Sequence, residues 1–493
     1  MGGDRKYITM IALYALLLVP AQYLYGFVSA PEGTVAIKPM DLTYLAAAKS
    51  VLWNGRNPWP DPDASVFADA TLGSSVALVP LGLLWLATGI DPLVAMIALN
   101  TAFTFGYLYA IMLTMKKLAP NSWHIALPLL LFAQGIGGLL YFPLKATGLF
   151  SDAGLGNLFW GWMTSEAVYQ TLSLLTGWLA FYFFISKKTI HATASLALTF
   201  LVYPIGGLLF AGMTATYSLF TKRFKESLTV IAQASLFLAP WIYFIMTEPV
   251  FFTRVSEFYA TPILSADKFI FTLLVNGGLA LAFAVYGAKK ARESKEGKFL
   301  LCWAGLMFLA VLSQLVVKKI DVTKLLVMTW PVLAMLAGEG MVRFAAHFKV
   351  PLKTIFIVTI LVSLPSFMLF YGNVHVKEFT YFSNSEIEAM GVLKDAPQGV
   401  VLAPPALGRA VPYYAEKRSV TGGVLSSSGV LDDYDAFYNG GAREIREKYN
   451  ISYLLARNGT VPDGFTLLFA NDAVRLYGRE LESGGHLFKV EFS

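Results

Sequence analysis

Apolar residues run in long blocks, separated by short polar turns, from the start of the chain to Tyr371. Blocks of about 20 residues with few charges predict membrane-spanning helices. They fall at 7–28, 92–115, 123–143, 166–186, 190–205, 206–221, 227–247, 268–288, 299–317, 325–345 and 352–372. Two of these are short and meet at Tyr203-Pro204-Ile205-Gly206-Gly207, which reads as a kinked pair. The first block has no cleavable signal-peptide features and reads as a retained anchor. Segment 69–90 is also apolar, but it holds Gly73, Pro80 and Gly82. It reads as a helix lying at the outer interface, which leaves eleven crossings.

Beyond residue 372 the pattern changes. Gly399–Pro404 reads as a buried strand, 432–449 as a helix, Ile451–Ala456 as a second strand, and 465–478 as a hairpin turning at Asn471-Asp472. Asp432 and Asp433 near the start of that helix, and Arg446 and Lys448 near its end, suit the helix dipole. The expected fold is a polytopic α-helical membrane protein with a small C-terminal α/β soluble domain. The division is 1–372 for the membrane domain and 373–493 for the tail.

Composition sharpens this. Of 493 residues, 56% are hydrophobic and only 14% charged, with a mean hydropathy of +0.58. A soluble chain carries about 25% charged residues, so a soluble enzyme is excluded, as are a disordered chain and a disulfide scaffold. Cys302 is alone, and the five histidines stand singly, which argues against a Cys/His metal centre.

The net charge of +6 takes its meaning from where the charges sit. Residues 1–372 hold 26 Lys/Arg against 17 Asp/Glu, and residues 373–493 hold 12 against 15. With a cytoplasmic N-terminus, alternate loops carry Lys116-Lys117, Lys187-Lys188, Lys222-Arg223-Lys225, the cluster 289–298, and Arg343, Lys349 and Lys353. That face collects 17 basic residues and four acids, whereas the other collects nine and twelve. The bias sets the basic face inside and the tail outside the cell membrane. Cations confined to such turns are partners for membrane lipid, and no nucleic-acid partner is expected.

Candidate chemistry lies on the acid-rich outer side. Asp41 opens an amphipathic stretch to Asn54, with apolar Leu42, Leu45, Ala48 and Leu52. A carboxylate held at a membrane surface is costly unless solvated or paired, which marks it as functional; the same residue suits a helix N-cap. Lys318, Lys319 and Lys324 gather against the inside bias and suit a phosphate at headgroup depth, or snorkelling anchors. Glu166 begins an outer-to-inner span, as a functional acid or a first-turn cap. Arg254, in a loop with Glu257 and Tyr259, is its strongest anion-binding residue, or one half of a loop ion pair. Asp61-Pro62-Asp63 offers paired carboxylates to a divalent metal such as Mg or Mn, which often takes one or two carboxylates plus phosphate oxygens.

Taken in order, these stretches resemble the GT-C superfamily of polytopic glycosyltransferases, nearest its aminoarabinose transferase and protein O-mannosyltransferase branch. The run Pro39-Met40-Asp41-Leu42-Thr43-Tyr44, then Ala47, then Leu52-Trp53-Asn54-Gly55-Arg56-Asn57-Pro58-Trp59, is like the family's first outer loop. An apolar juxtamembrane helix over 71–89, ending in Gly89, follows it. Leu238-Ala239-Pro240-Trp241 to Glu248-Pro249 resembles the entry to the fourth outer loop. Lys318 to Leu325 with Trp330-Pro331 and Met335-Leu336-Ala337 resembles the basic loop before a late helix. The Asp-Glu pair of the protein O-mannosyltransferases is absent, since Met40 and Leu42 flank Asp41, and so is the oligosaccharyltransferase Trp-Trp-Asp-Tyr-Gly signature. The acceptor therefore stays open between lipid, glycan and protein.

The resemblance implies sugar transfer on the outer face from a polyprenyl- or dolichyl-phosphate-linked donor. Asp41 is then the base, and Glu166 orients the acceptor or shares the base role. Lys318, Lys319, Lys324 and Arg254 meet the donor phosphate, while Tyr44, Arg56, Asn57, Asp321, Glu257 and Tyr259 position substrate. Two other classes compete. A lipid-linked sugar transporter or flippase predicts internal repeats and ionisable residues at the bilayer midplane, and neither stands out here. A non-catalytic scaffold or sensor with a binding tail predicts no consequence from neutralising Asp41.

Overall fold

The computed structural model describes residues 2–28, 30–37, 45, 88–133, 168–247, 266–313, 325–377, 380–421, 428–457 and 463–479. They divide into two compact units: residues 1–22 with 97–375, and residues 23–96 with 376–493.

Unit 1 is helical. Its elements are α1 (Gly2–Val28, whose last turns belong to unit 2), α2 (Pro92–Leu118, whose first turn does), α3 (Trp123–Phe132), α4 (Val168–Ile185), α5 (Thr189–Val202), α6 (Pro204–Thr221), α7 (Phe224–Ser235), α8 (Ala239–Thr247), α9 (Ala266–Ala291), α10 (Lys295–Ser313), α11 (Leu325–Phe348) and α12 (Leu352–Lys377). Local chemistry sets several boundaries. Asp91 caps α2, its Oδ1 accepting from the backbone N–H of Leu93 at 2.8 Å. Tyr203 is extended at φ −152°, and Pro204 stands at the first position of α6, so the chain breaks between α5 and α6. The expected continuous span at 227–247 is instead α7, a 3₁₀ turn over Leu236–Leu238, and α8. Pro240 accounts for the interruption, since it offers no N–H and its ring crowds the carbonyl four residues back. Likewise the span expected at 268–288 is broken at Gly278 (φ 48°, ψ −143°), a conformation closed to residues with a Cβ.

The core of unit 1 is aromatic. Trp178 stands edge-on to Phe210 and Phe181, and Phe299 of α10 meets Phe181 and Tyr217. Backbones also touch directly. A Cβ on Gly340 of α11 would run into the Phe283 carbonyl of α9, and one on Gly287 into the Leu336 carbonyl. Small residues that let helices approach this closely are how apolar helices associate without a hydrophobic driving force. Large apolar side chains meanwhile face outward: Leu208 on α6, Leu236, Tyr243 and Met246 along α7–α8, Val285 on α9, Leu309 on α10 and Leu361 on α12 are each more than half exposed. Among the described residues one helix, Leu93–Leu118, is long and apolar enough by itself to cross a membrane.

Unit 2 holds two sheets. Strand β1 (Thr34–Ile37) pairs antiparallel with β2 (Thr380–Ser383). The larger sheet has β3 (Val400–Leu402), β4 (Arg418–Ser419), β5 (Ile451–Ala456), β6 (Phe465–Ala470) and β7 (Arg475–Arg479) in the order β4-β3-β5-β7-β6. The first three run parallel and the last two antiparallel to their neighbours. Helix α14 (Pro405–Tyr414) connects β3 to β4. Helices α15 (Ser428–Ala436) and α16 (Ala442–Tyr449), joined by a π turn, lead back to β5. Helix α13 (Asn384–Asp395) starts from a capping box in which the Glu386 N–H donates to Ser383 Oγ and the Ser383 N–H to Glu386 Oε2. Central β3 is buried at all three residues. The hairpin turns at Asn471, whose Oδ1 accepts from Ala473 and Val474 and whose Nδ2 donates to the Ser385 carbonyl.

Candidate functional site

The short turns of unit 1 collect at one end of it. Asp4 of α1 bonds Lys116 of α2, Tyr7 packs edge-on to Trp123, Arg223 donates to the Phe184 carbonyl at 2.8 Å, and Lys290 pairs with Glu339 at 3.2 Å. These contacts hold basic residues of three different connections, Lys116, Arg223 and Lys290. At the opposite end, Tyr169 at the start of α4 lies against Tyr203 between α5 and α6, and the Trp330 indole N–H of α11 reaches the Leu130 carbonyl of α3 at 3.1 Å. Most of the acid-rich connections expected from the sequence lie outside the described residues.

Every sequence-derived candidate belongs to those connections. Asp41, Tyr44, Arg56, Asn57, Asp61, Asp63, Glu166, Arg254, Glu257, Tyr259, Lys318, Lys319, Asp321 and Lys324 lie outside the described residues, as does most of the interfacial helix expected at 69–90. Their chain neighbours are described. Leu45, four residues after Asp41, is helical and buried. Val168 opens α4 two residues after Glu166, and Leu325 opens α11 directly after Lys324. Gly89 (φ 65°) and the Asp91 cap end one segment and begin the next. Among the described residues no three His, Cys, Asp or Glu side chains gather as a metal site.

A polar seam below that end escaped the sequence reading. Asn100 and Thr104 of α2, Thr171, Ser173 and Thr176 of α4, and Thr199 of α5 are all buried. Thr171 Oγ1 donates to Asn100 Oδ1 at 2.5 Å, and Thr199 Oγ1 to Thr176 Oγ1 at 2.9 Å. The Gln170 amide donates to the Tyr169 hydroxyl at 3.0 Å. Buried polar groups inside apolar helices must find partners in one another. Here they lock α2, α4 and α5 together within about three turns of the segment that carries Glu166. They are uncharged polar residues scattered through apolar runs, so the available signal was the i, i+4 spacing of Asn100 and Thr104.

Several described ionisable groups of unit 2 are buried or partly buried. Burial, and then the charge of Asp91, push Tyr413 up and Tyr414 up to about 12, so both stay protonated donors. Burial lowers Arg409, and lowers Lys417 against the opposing charges of Glu416 and Asp395; the Lys417 ammonium is buried and donates to the Lys394 carbonyl at 2.9 Å.

No protein-family model matches the sequence, and no curated protein matches it. Solved structures match its fold. The arabinofuranosyltransferase AftD from Mycobacteria aligns at a TM-score of 0.59 and 16% identity, over 97% of this chain and 40% of that one. ArnT from Cupriavidus metallidurans, in a crystal structure bound to undecaprenyl phosphate, aligns at 0.53 and 12% identity, over 98% of this chain and 99% of that one. The structural neighbours are GT-C glycosyltransferases.

Proposed function

We propose, taking that shared fold as the premise, that the chain is a GT-C glycosyltransferase. It moves a sugar from a polyprenyl- or dolichyl-phosphate-linked donor to an acceptor hydroxyl at the extracytoplasmic membrane surface. The observation that carries the proposal is the end-to-end fold correspondence with ArnT, which spans nearly all of both chains. The outward apolar side chains of unit 1 support a bilayer around it, and the gathered basic turns support a cytoplasmic face there. In this reading eleven helices span the cell membrane. Residues 1–372 form the membrane domain and 373–493 an extracytoplasmic domain.

The chemistry follows from the donor. Phosphate leaves readily once its charge is stabilised, so the site needs cations on the leaving group more than an acid. Lys318, Lys319, Lys324 and Arg254 fill that role. The acceptor hydroxyl gives its proton to Asp41 as its oxygen attacks the anomeric carbon. The carbon–oxygen bond to phosphate breaks on the opposite face, and its electron pair leaves with the polyprenyl phosphate. A single displacement inverts the anomeric centre. Glu166 orients the acceptor or shares the base role. Tyr44, Arg56, Asn57, Asp321, Glu257 and Tyr259 position the substrates. Asp61 and Asp63 are the residues that would hold a divalent Mg or Mn ion, which would add charge beside the donor phosphate.

The test is release of polyprenyl phosphate from sugar-charged polyprenyl phosphates in detergent, with lipid, glycan and peptide acceptors supplied. Turnover by the wild type that vanishes in a folded Asp41→Asn protein supports the reading. Equal turnover in the variant removes Asp41 from the chemistry. No turnover by a folded wild type with any donor and acceptor defeats the transferase assignment.

A further inference from the structure

Three helices of unit 1 end on a lysine where glycine is the usual residue. Lys187 closes α4, Lys222 closes α6 and Lys349 closes α11, at φ 62°, 59° and 53°. All three closures share one wiring, in which the N–H after the lysine reaches a carbonyl five residues back. Lys188 donates to Phe183 at 2.8 Å, Arg223 to Ser218 at 3.0 Å, and Val350 to Ala345 at 3.1 Å. This closure needs a left-handed residue, and a side chain there presses its Cβ toward the following carbonyl. Lysine therefore costs backbone stability at each position, and its retained feature is the charge.

Two of the three turns are neighbours. The Arg223 guanidinium donates to the Phe184 carbonyl at 2.8 Å and lies over the Phe184 ring, which fastens the α6–α7 turn to the end of α4. Glu226 is already taken, bonded by Arg223 at 2.5 and 3.0 Å. Its carboxyl is held below the usual range, first by that hydrogen bond, against the opposing effect of burial, with the charges of Arg223 and Lys187 adding to the lowering. Lys187, Lys188, Lys222 and Lys225 are exposed, and among the described residues none has an ion-pair partner. Bare apolar side chains adjoin them: Ile190 is 81% exposed, Leu219 63%, Phe224 54% and Leu228 57%.

Ammonium groups set beside uncovered aliphatic and aromatic side chains match the boundary where lipid phosphates overlie acyl chains. We propose that the α4–α5 and α6–α7 turns form a headgroup site for anionic phospholipid. Lys187 and Lys222 are fixed by their left-handed turns to face the phosphodiester, with Lys188 and Lys225 beside them. The proposal rests on the bilayer placement of unit 1 and is independent of the transfer reaction. Helix C-termini also favour cations through their dipoles, but that effect alone creates no preference among lipids.

The experiment uses the purified full chain in nonionic detergent micelles doped with phosphatidylglycerol or with phosphatidylcholine, and it reads the thermal midpoint. Phosphatidylcholine reports on the bilayer placement; the extra shift with phosphatidylglycerol reports on the patch. A Lys187→Gly/Lys222→Gly variant is expected to match or exceed the wild-type midpoint in undoped micelles, because glycine relaxes both turns. It should keep the phosphatidylcholine shift and lose at least about half of the phosphatidylglycerol increment. A Lys188→Gln/Lys225→Gln variant, which leaves both left-handed positions intact, should lose a comparable share. An increment that is absent from the wild type, or that persists in full in either variant, overturns the proposal.

Discussion

Thr171 of α4 donates its hydroxyl to the side-chain oxygen of Asn100 on α2 at 2.5 Å, and both residues are buried. The bond joins positions 71 residues apart in the chain. It lies five residues beyond Glu166, the candidate second acid. The near-isosteric Thr171→Val removes this one hydrogen bond to Asn100. The expected cost is about 1 kcal/mol, in the range of hydrogen bonds between membrane helices, read as a lower thermal midpoint in detergent. If the seam positions Glu166, kcat falls while the donor KM holds. A loss confined to the midpoint would mark the seam as purely structural.

Asp41→Asn and the lysine variants should separate kinetically. Removing the base is expected to cut kcat by about 10²-fold or more. Lys318→Gln with Lys319→Gln should act through the donor instead, raising its KM. Steady-state kinetics against donor concentration check the split, and a common fall in kcat for both variants would contradict the assigned roles.

Gly340 and Gly287 sit where α9 and α11 touch through their backbones. Gly340→Ala drives a methyl into the Phe283 carbonyl, which belongs to main chain and has no rotamer to escape into. The expected loss is about 1–3 kcal/mol, seen as a lowered midpoint. Gly305 has no neighbour within 4 Å of its would-be Cβ. Gly305→Ala at that position is the control, and helix propensity should make it neutral or stabilising.

Asp433 links α15 to α16 in unit 2. Burial raises its pKa, but hydrogen bonds from the Lys448 ammonium and the Tyr449 hydroxyl, both 2.6 Å, and the lysine's charge together bring it below the ordinary 3.8. A carboxyl depressed by folding stabilises above its unfolded pKa, and that contribution is lost as pH falls through the folded value. Amide protection in α16, taken relative to the intrinsic exchange rate at each pH, should therefore fall below about pH 4 in the wild type. In Asp433→Asn the protection should be lower at neutral pH and less sensitive to acid. Parallel acid profiles for the two proteins would refute the linkage.

Particular elements show what the sequence made legible. The break at Tyr203-Pro204 was readable because proline fixes its own φ and the start of a helix. Expected spans at 206–221, 325–345 and 352–372 match Pro204–Thr221, Leu325–Phe348 and Leu352–Lys377, because long apolar runs carry their own boundaries. The strand at Val400–Leu402 and the hairpin turn at Asn471-Asp472 were likewise local signals. The break at Gly278 was not readable, since glycine inside an apolar helix is common and only the fold selects which one bends. Strand β1 also went unseen: Thr34–Ile37 is too short to announce itself and becomes a strand through a partner at 380–383. The candidate site is a reading of the sequence, from acids and lysines on unexpected loops, and its residues lie outside the described ones. The seam was not legible, because Asn100, Thr171 and Thr199 acquire meaning only when three helices meet.

The ribbon of β1 and β2 also sets a schedule. Ile37 leaves the ribosome early, and its partner Thr380 follows more than three hundred residues later. At translation speeds of about 5–20 residues per second, that interval is on the order of tens of seconds. Throughout it the first strand has an open hydrogen-bonding edge and no partner. Unit 2 is thus assembled from segments that flank most of unit 1 in the sequence, and its β1–β2 ribbon closes only after the helices between them have been synthesised. A nascent chain stalled before Thr380 would present that edge to chaperones or to other chains, which makes completion of the ribbon a late checkpoint in the protein's biogenesis.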